Sequence, residues 1–211
     1  MMKRVWFIPI IICSLLPPQN LQAESLTNLL AEIVVTQAEY PEEQLTDLAY
    51  EVREIIGDLE ENQDNPKIKN KFLDLFRGVY STQDAGEKPQ THFVYSDTYR
   101  ITNAYALLGN KEFLRALMEA SQGPYGRSAE GEEWINEMLW ENLEAQTQLS
   151  IDILSEVPKN LRDDLMKRVY TAPVRDEFNF QEIQKNLNNI SIPVNIQKEV
   201  GQIQKVVNEF Q

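Results

Sequence analysis

Apolar residues recur every three or four positions along most of this 211-residue chain, which is the spacing of one face of an α-helix. The most regular stripe comprises Leu45, Leu48, Val52, Ile55, Ile56 and Leu59. A helix with one apolar face has to bury that face against other helices. The pattern therefore predicts an all-α fold, an irregular multi-helix bundle of about eight or nine helices.

Proline, glycine and capping residues predict where these helices begin and end. Pro41 is expected to open the second helix, and Asn65 followed by Pro66 is typical of an N-cap and a first helical residue. Gly109 is expected to end a helix. The apolar spacing then predicts one long helix over residues 132–157.

Two segments fit more than one structure. Residues 91–95 are ambiguous and could form a short extended segment, followed by a helix from Ser96 or Asp97 that runs to Leu108. Residues 178–211 are expected to form a C-terminal helical hairpin or arm, because their apolar residues alternate in steps of four and three.

The N-terminal stretch has the layout of a secretory signal peptide. Lys3 and Arg4 precede a short apolar run, which is shorter than a bilayer-spanning helix and is stopped by prolines. Cleavage is expected after Ala23, because a small residue precedes the scissile bond in such signals. We therefore expect a leader over 1–23, a single helical domain over 24–211, and a periplasmic or secreted location with no stable membrane span after cleavage; retention of the leader as an anchor is the alternative.

The net charge of −13 limits the classes of partner. The leader carries two basic residues and no acidic one, so the remaining chain would carry −15. Binding to nucleic acid is not expected, because phosphate contacts need clustered Lys and Arg. An acidic surface is compatible with solubility or with a basic protein partner.

Four residues are candidates for catalysis. His92 lies close in sequence to Asp97, and imidazole beside a carboxylate can perform acid–base chemistry. Glu132 and Glu133 lie beside a glycine-rich stretch, and a secreted glycan hydrolase needs two carboxylates, one of them with a raised pKa. The alternative is that the carboxylates form a solvated helix face, as expected also for the acidic residues at 58–64.

The sequence gives weaker indications of a metal or cofactor site than of a catalytic one. Glu133, Glu137 and Glu141 share one helix face and could bind a hard cation. The chain has one histidine, and its one cysteine, Cys13, lies in the leader. Zinc ligation by Cys or several His side chains is therefore not expected, and we expect no cofactor.

The loop GPYGRSAEG carries the candidate binding residues. Tyr125 and Arg127 belong to residue types enriched at binding hot spots, and Trp134 follows closely. The alternative is that the aromatic side chains pack against the apolar stripe.

The function expected first is non-enzymatic: a secreted or periplasmic helical protein that binds a protein partner or acts as an assembly or scaffold factor. A secreted glycan hydrolase with paired carboxylates is the alternative, and a cation- or ligand-binding helical protein is the third. Whether the protein is an enzyme stays open on the sequence, with the balance against it.

Overall fold

The computed structural model describes residues 18–81, 90–171, 173 and 178–211, without the side chains of 18–25 and 90–93. This part of the chain contains ten α-helices and no β-strand, which confirms the all-α prediction and slightly exceeds the expected number of helices. The helices are α1 Pro18–Ala38, α2 Asp47–Glu61, α3 Pro66–Ser81, α4 Gln90–Leu107, α5 Lys111–Ala120, α6 Ala129–Ala145, α7 Thr147–Glu156, α8 Lys159–Leu165, α9 Phe180–Asn189 and α10 Gln197–Glu209.

Four shorter helical segments connect or extend these helices. Single 3₁₀ turns cover Glu42–Gln44, Tyr125–Arg127 and Val194–Ile196. A π-helical segment, Met166–Tyr170, continues directly from α8. Segments of this type are uncommon and occur mostly as single turns within or next to α-helices.

Helix α4 lies at the centre of the first half of the fold, where it packs against α1, α2, α3, α5 and α6. Its buried face is aromatic: the ring of Tyr99 packs edge-on against Phe76, and the ring of Tyr105 lies 4.4 Å from that of Phe113. Burial of such large rings contributes to the hydrophobic stabilisation of the core.

Helix α6 joins this half to the C-terminal helices, because it contacts α4 and α5 as well as α9. Helices α9 and α10 form an antiparallel pair: Phe210, just after α10, stacks on Phe180 at the start of α9 with ring centroids 5.2 Å apart. Trp140 of α6 packs against Phe180 at 5.8 Å, so this pair lies directly against the rest of the bundle.

Two of the predicted helix boundaries are confirmed. Helix α3 begins at Pro66, and Asn65 caps it by accepting a hydrogen bond from the amide of Lys67 at 3.0 Å. Helix α4 ends at Leu107, before Gly109, whose φ of 83° places it in the left-handed region that favours glycine.

Two predictions about where helices begin were wrong. Residues 91–95 are the first turns of α4 and not an extended segment, and burial of Val94 and Tyr95 on a helical face outweighs their β-propensity. Pro41 does not open α2: one 3₁₀ turn intervenes, and Thr46 is the N-cap, accepting a hydrogen bond from the amide of Ala49. Thr46 is a better cap because its hydroxyl bonds a free amide of the first turn.

The long helix predicted over residues 132–157 was also wrong, because it is divided into α6 and α7 at Gln146. The backbone of Gln146 leaves the helical region, with φ −133° and ψ 50°. Its side chain donates a hydrogen bond to the carbonyl of Leu107 at 2.9 Å, at the end of α4. A contact with a distant helix therefore sets this break, and the local sequence does not reveal it.

Most of the predicted leader, residues 1–17, lies outside the described residues. The cleavage point expected after Ala23 falls within α1. Among the helices that the structure describes, none has both the length and the apolar character that crossing a bilayer requires.

Candidate functional site

The glycine loop, residues 121–128, is packed tightly against the body of the protein. A Cβ atom on Gly123 would lie 2.1 Å from the carbonyl oxygen of Tyr80, and one on Gly126 would lie 2.3 Å from that of Ala120. Real Cβ atoms essentially never make contacts below 3.0 Å. Glycine is therefore required at both positions because the loop backbone lies directly on neighbouring backbone.

The side chain of Arg168, in the π-helical segment, binds the backbone of this loop. Its guanidinium forms two hydrogen bonds with the carboxylate of Asp164, at 2.6 and 3.1 Å. It also donates to the carbonyls of Ser121 at 2.7 Å and Gly126 at 3.4 Å, and it pairs with Glu132 at 3.3 Å. Bidentate arginine–carboxylate pairs are among the stronger polar interactions in proteins.

Side chains of α6 bind the backbone of the same π-helical segment. Asn136 donates to the carbonyl of Arg168 at 3.2 Å, and the indole of Trp140 donates to the carbonyl of Val169 at 3.1 Å. Arg168 and Val169 lie in the last turn of the helix, where backbone carbonyls have no partner within the helix, so these two donors satisfy them. The π-helical geometry in turn places the Arg168 side chain beside the loop.

The charges around the glycine loop neutralise each other. Arg127 pairs with Asp164 at 3.6 Å, so that two arginines face the carboxylates of Asp164 and Glu132. Hydrogen bonds from Arg168 lower the pKa of Asp164, which favours its ionised form. These ion pairs and hydrogen bonds are suited to holding the loop in place.

The predicted binding residues Tyr125 and Trp134 both pack against the hydrophobic core. The ring of Tyr125 stacks on Tyr95 with centroids 4.7 Å apart and lies 5.3 Å from Tyr99. Burial raises the pKa of Tyr125 to about 12. Arg127 keeps about half of its side chain exposed.

Asp97 lies in α4 and is bound from α1. The amide nitrogen of Gln37 donates to its carboxylate at 2.8 Å, and both side chains are buried, with exposures of 1% and 7%. Burial raises the pKa of Asp97, against the hydrogen bond from Gln37 and the charge of Arg100, which lower it. The side chain of His92 lies outside the described residues.

The three glutamates considered for cation binding follow α6 without converging. Glu133 is exposed, while Glu141 accepts a hydrogen bond from Asn103 of α4 at 2.8 Å, and Glu137 lies between them with partial exposure. Across the described ranges, no group of three or more His, Cys, Asp or Glu side chains is arranged to hold a metal ion.

Helix α2 carries an exposed line of carboxylates that we call the acidic row: Asp47, Glu51, Glu54, Asp58 and Glu61. The steps of four, three, four and three residues place all five on one helix face, opposite the buried stripe. Within the part of the chain that the structure describes, none of them forms an ion pair. Arg53, the one basic residue of α2, donates instead to the carbonyls of Gln37 and Tyr40.

The negative charge of the acidic row affects the pKa of a neighbouring tyrosine. The pKa of Tyr50, which is exposed, is raised chiefly by the charge of Glu54 and then by that of Glu42. A negative potential that resists ionisation of a phenol also attracts cationic groups.

A groove of about 750 Å³ lies beside the acidic row, between α2 and α3. We call it the α2–α3 groove. Leu48 and Glu51 line it from α2, and the α3 wall consists of Lys67, Asn70, Lys71, Asp74, Leu75 and Gly78. A Cβ atom on Gly78 would meet nothing within 4 Å, so this wall has open space in front of it.

The structure thus brings three of the predicted residues, Tyr125, Arg127 and Glu132, to one loop, and leaves Asp97 and Glu133 apart from it. The acidic row was not among the predicted site residues. Its signal was available, because five carboxylates recur with helical spacing on the face opposite the clearest apolar stripe.

Comparison with known proteins gives no family to which the chain can be assigned: no protein-family model, no curated protein and no solved structure matches it.

Proposed function

We propose that this protein is a non-enzymatic, extracytoplasmic helical protein that binds a basic protein partner through the acidic row of α2. The observation that supports this most directly is the row itself: five exposed carboxylates on one helix face, without an ion pair in the described residues. Neighbouring like charges on a helix each cost tenths of a kcal/mol, so the row is a source of repulsion until cations approach it.

The physics of association favours a basic partner. A line of one charge sign attracts a segment of the opposite sign over about one Debye length, roughly 8–10 Å at physiological salt, and speeds the encounter. The net charge of −13 adds to this attraction. A nucleic acid would be repelled by the same surface.

The extracytoplasmic location rests on the leader-like sequence of residues 1–23. Cell fractionation followed by N-terminal sequencing of the exported protein tests it, with Glu24 expected as the first residue. Recovery from the cytoplasm with the leader intact would contradict the proposed location.

The binding proposal is tested by quantitative affinity capture with two matched variants of the tagged, exported protein. The first neutralises part of the row, Glu51→Gln, Glu54→Gln, Asp58→Asn and Glu61→Gln. The control neutralises four exposed carboxylates elsewhere, Glu112→Gln, Glu133→Gln, Asp163→Asn and Glu209→Gln. Both variants change the net charge by the same amount.

A basic protein that is retained by the wild type and by the control, and lost with the row variant, is the expected result. Its binding, remeasured with purified components, should weaken as salt increases. Equal recovery of every captured protein with the row variant and the wild type would contradict the proposal.

A further inference from the structure

We propose that the α2–α3 groove binds an amphipathic α-helix of the partner, with an apolar face toward Leu48 and Leu75, basic residues toward α2 and acidic residues toward α3. This inference rests on the proposed function and adds the site and the structural class of the bound segment. Leu48 and Leu75 are half-buried and belong to the edge of the hydrophobic core, so they supply apolar surface at the floor of the groove.

The charges of the two walls have opposite signs, and this complementarity specifies the occupant. Glu51 continues the acidic row into the groove from α2. Lys67 and Lys71 stand exposed on the α3 wall, whereas Asp74 on the same wall is 3.5 Å from Arg77. A segment with Lys or Arg along one flank and Asp or Glu along the other would neutralise both walls at once.

The groove walls favour a helix over an extended segment. Backbone amides and carbonyls in α2 and α3 already bond within their own helices, so the walls offer no strand edge to pair with. A helix satisfies its own backbone and presents apolar anchors at positions i, i+3, i+4 and i+7. Two packed helices with open space between them accept a third at about 8–10 Å from their axes.

The test uses synthetic peptides as probes and the full exported chain as receptor. The first is a fluorescein-labelled helical peptide of about 18 residues with a leucine stripe flanked by lysine on one side and glutamate on the other. The second has the same charges and serine in place of leucine. Affinities are measured by fluorescence anisotropy, and the binding site is mapped by amide chemical shifts.

Gly78→Trp fills the groove from a position where a side chain meets open space. Gly201→Trp is the matched control, because Gly201 lies within α10 and a side chain there also meets nothing within 4 Å. The leucine peptide should bind the wild type and the control equally and bind the Gly78→Trp protein at least about tenfold more weakly. The serine peptide should bind the wild type at least about tenfold more weakly than the leucine peptide.

A second variant, Lys67→Glu with Lys71→Glu, keeps the test independent of the folding of the tryptophan variant. It should weaken binding of the leucine peptide, and a peptide with lysine on both flanks should restore binding. Chemical-shift changes should centre on Leu48, Leu75 and Gly78.

Unchanged affinity after Gly78→Trp, or shift changes centred on another surface, would overturn the inference. A wild-type dimer that Gly78→Trp dissociates in light-scattering measurements would also overturn it, because a second copy of the chain would then occupy the groove. If the row variant loses its captured partner while Gly78→Trp retains it, the inference fails and the proposed function stands. If both variants retain every captured protein, both proposals fail.

Discussion

The glycine loop and the α2–α3 groove contain glycines for opposite reasons. At Gly123 an added Cβ would lie 2.1 Å from a backbone oxygen, whereas at Gly78 it would meet nothing within 4 Å. The charges of the two regions also differ. Arginines neutralise Asp164 and Glu132 beside the loop, whereas the acidic row has no ion pair in the described residues. The segment with the most loop-like sequence is therefore held in place, and a regular helical hairpin offers the open surface.

The largest expected change in unfolding free energy comes from replacing Gly123 or Gly78 with alanine, which adds one methyl group at either position. Gly123→Ala should lower the free energy of unfolding by about 2–4 kcal/mol, because the loop has to move away from Tyr80. Gly78→Ala should raise it by about 0.5–1 kcal/mol, because alanine is the better helix former and meets no neighbour. Denaturant unfolding of both variants measures this; effects of the same sign would break the comparison.

The next effect tests whether Arg168 holds the glycine loop. Arg168→Met should cost about 2–3 kcal/mol of unfolding free energy, because it removes the hydrogen bonds to Asp164 and to two loop carbonyls and leaves Asp164 with only the longer contact to Arg127. Lys159→Met is the control, since the Lys159–Asp163 pair is exposed and should contribute less than about 1 kcal/mol. Equal losses in the two variants would show that Arg168 has no special role.

The Arg168 effect should depend on pH in a defined direction. The pKa of Asp164 is lowered in the folded protein, so its pairing contributes stability above the unfolded pKa of about 3.9, and this contribution is lost as the pH falls through the folded pKa. The difference in unfolding free energy between wild type and Arg168→Met should therefore shrink below about pH 4. A difference that stays constant from pH 7 to pH 3 would contradict this account.

A smaller effect of opposite sign is expected at the buried carboxylate of α4. Asp97→Asn should raise the unfolding free energy at pH 7 by about 1 kcal/mol, because it removes a buried charge and lets its new amide donate to the Gln37 side-chain oxygen, which has no hydrogen-bond partner. The folded pKa of Asp97 is raised, so the wild type loses stability as the pH rises through that pKa. The gain in unfolding free energy from Asp97→Asn should therefore be present at pH 7 and disappear near pH 3. A larger gain at pH 3 than at pH 7 would refute this prediction.

The smallest effect concerns the acidic row. Glu54→Gln should raise the unfolding free energy by a few tenths of a kcal/mol at low salt, because it removes repulsion from Glu51 and Asp58, and the gain should vanish at high salt. It should also lower the pKa of Tyr50 toward its ordinary value. Glu112→Gln, an exposed change on α5, is the control and should leave that pKa unchanged.

The sequence was most informative where the determinants are local. Asn65 with Pro66 marks the start of α3, and Gly109 follows the end of α4, because capping and a positive φ depend on a few neighbouring residues. The break at Gln146 depends on a hydrogen bond to Leu107, 39 residues earlier, which no local pattern encodes. Arg168 was missed as a central residue for the same reason, since its partners come from three separate segments.

By itself the sequence determined the helical class, the buried stripes and the acidic character, because periodicity and charge are properties of the chain. Only the tertiary structure decided that the glycine loop is closed by backbone contacts and that α2 and α3 leave a groove between them. The physical reason is that accessibility depends on what packs against each residue, and residues distant in the sequence supply those contacts.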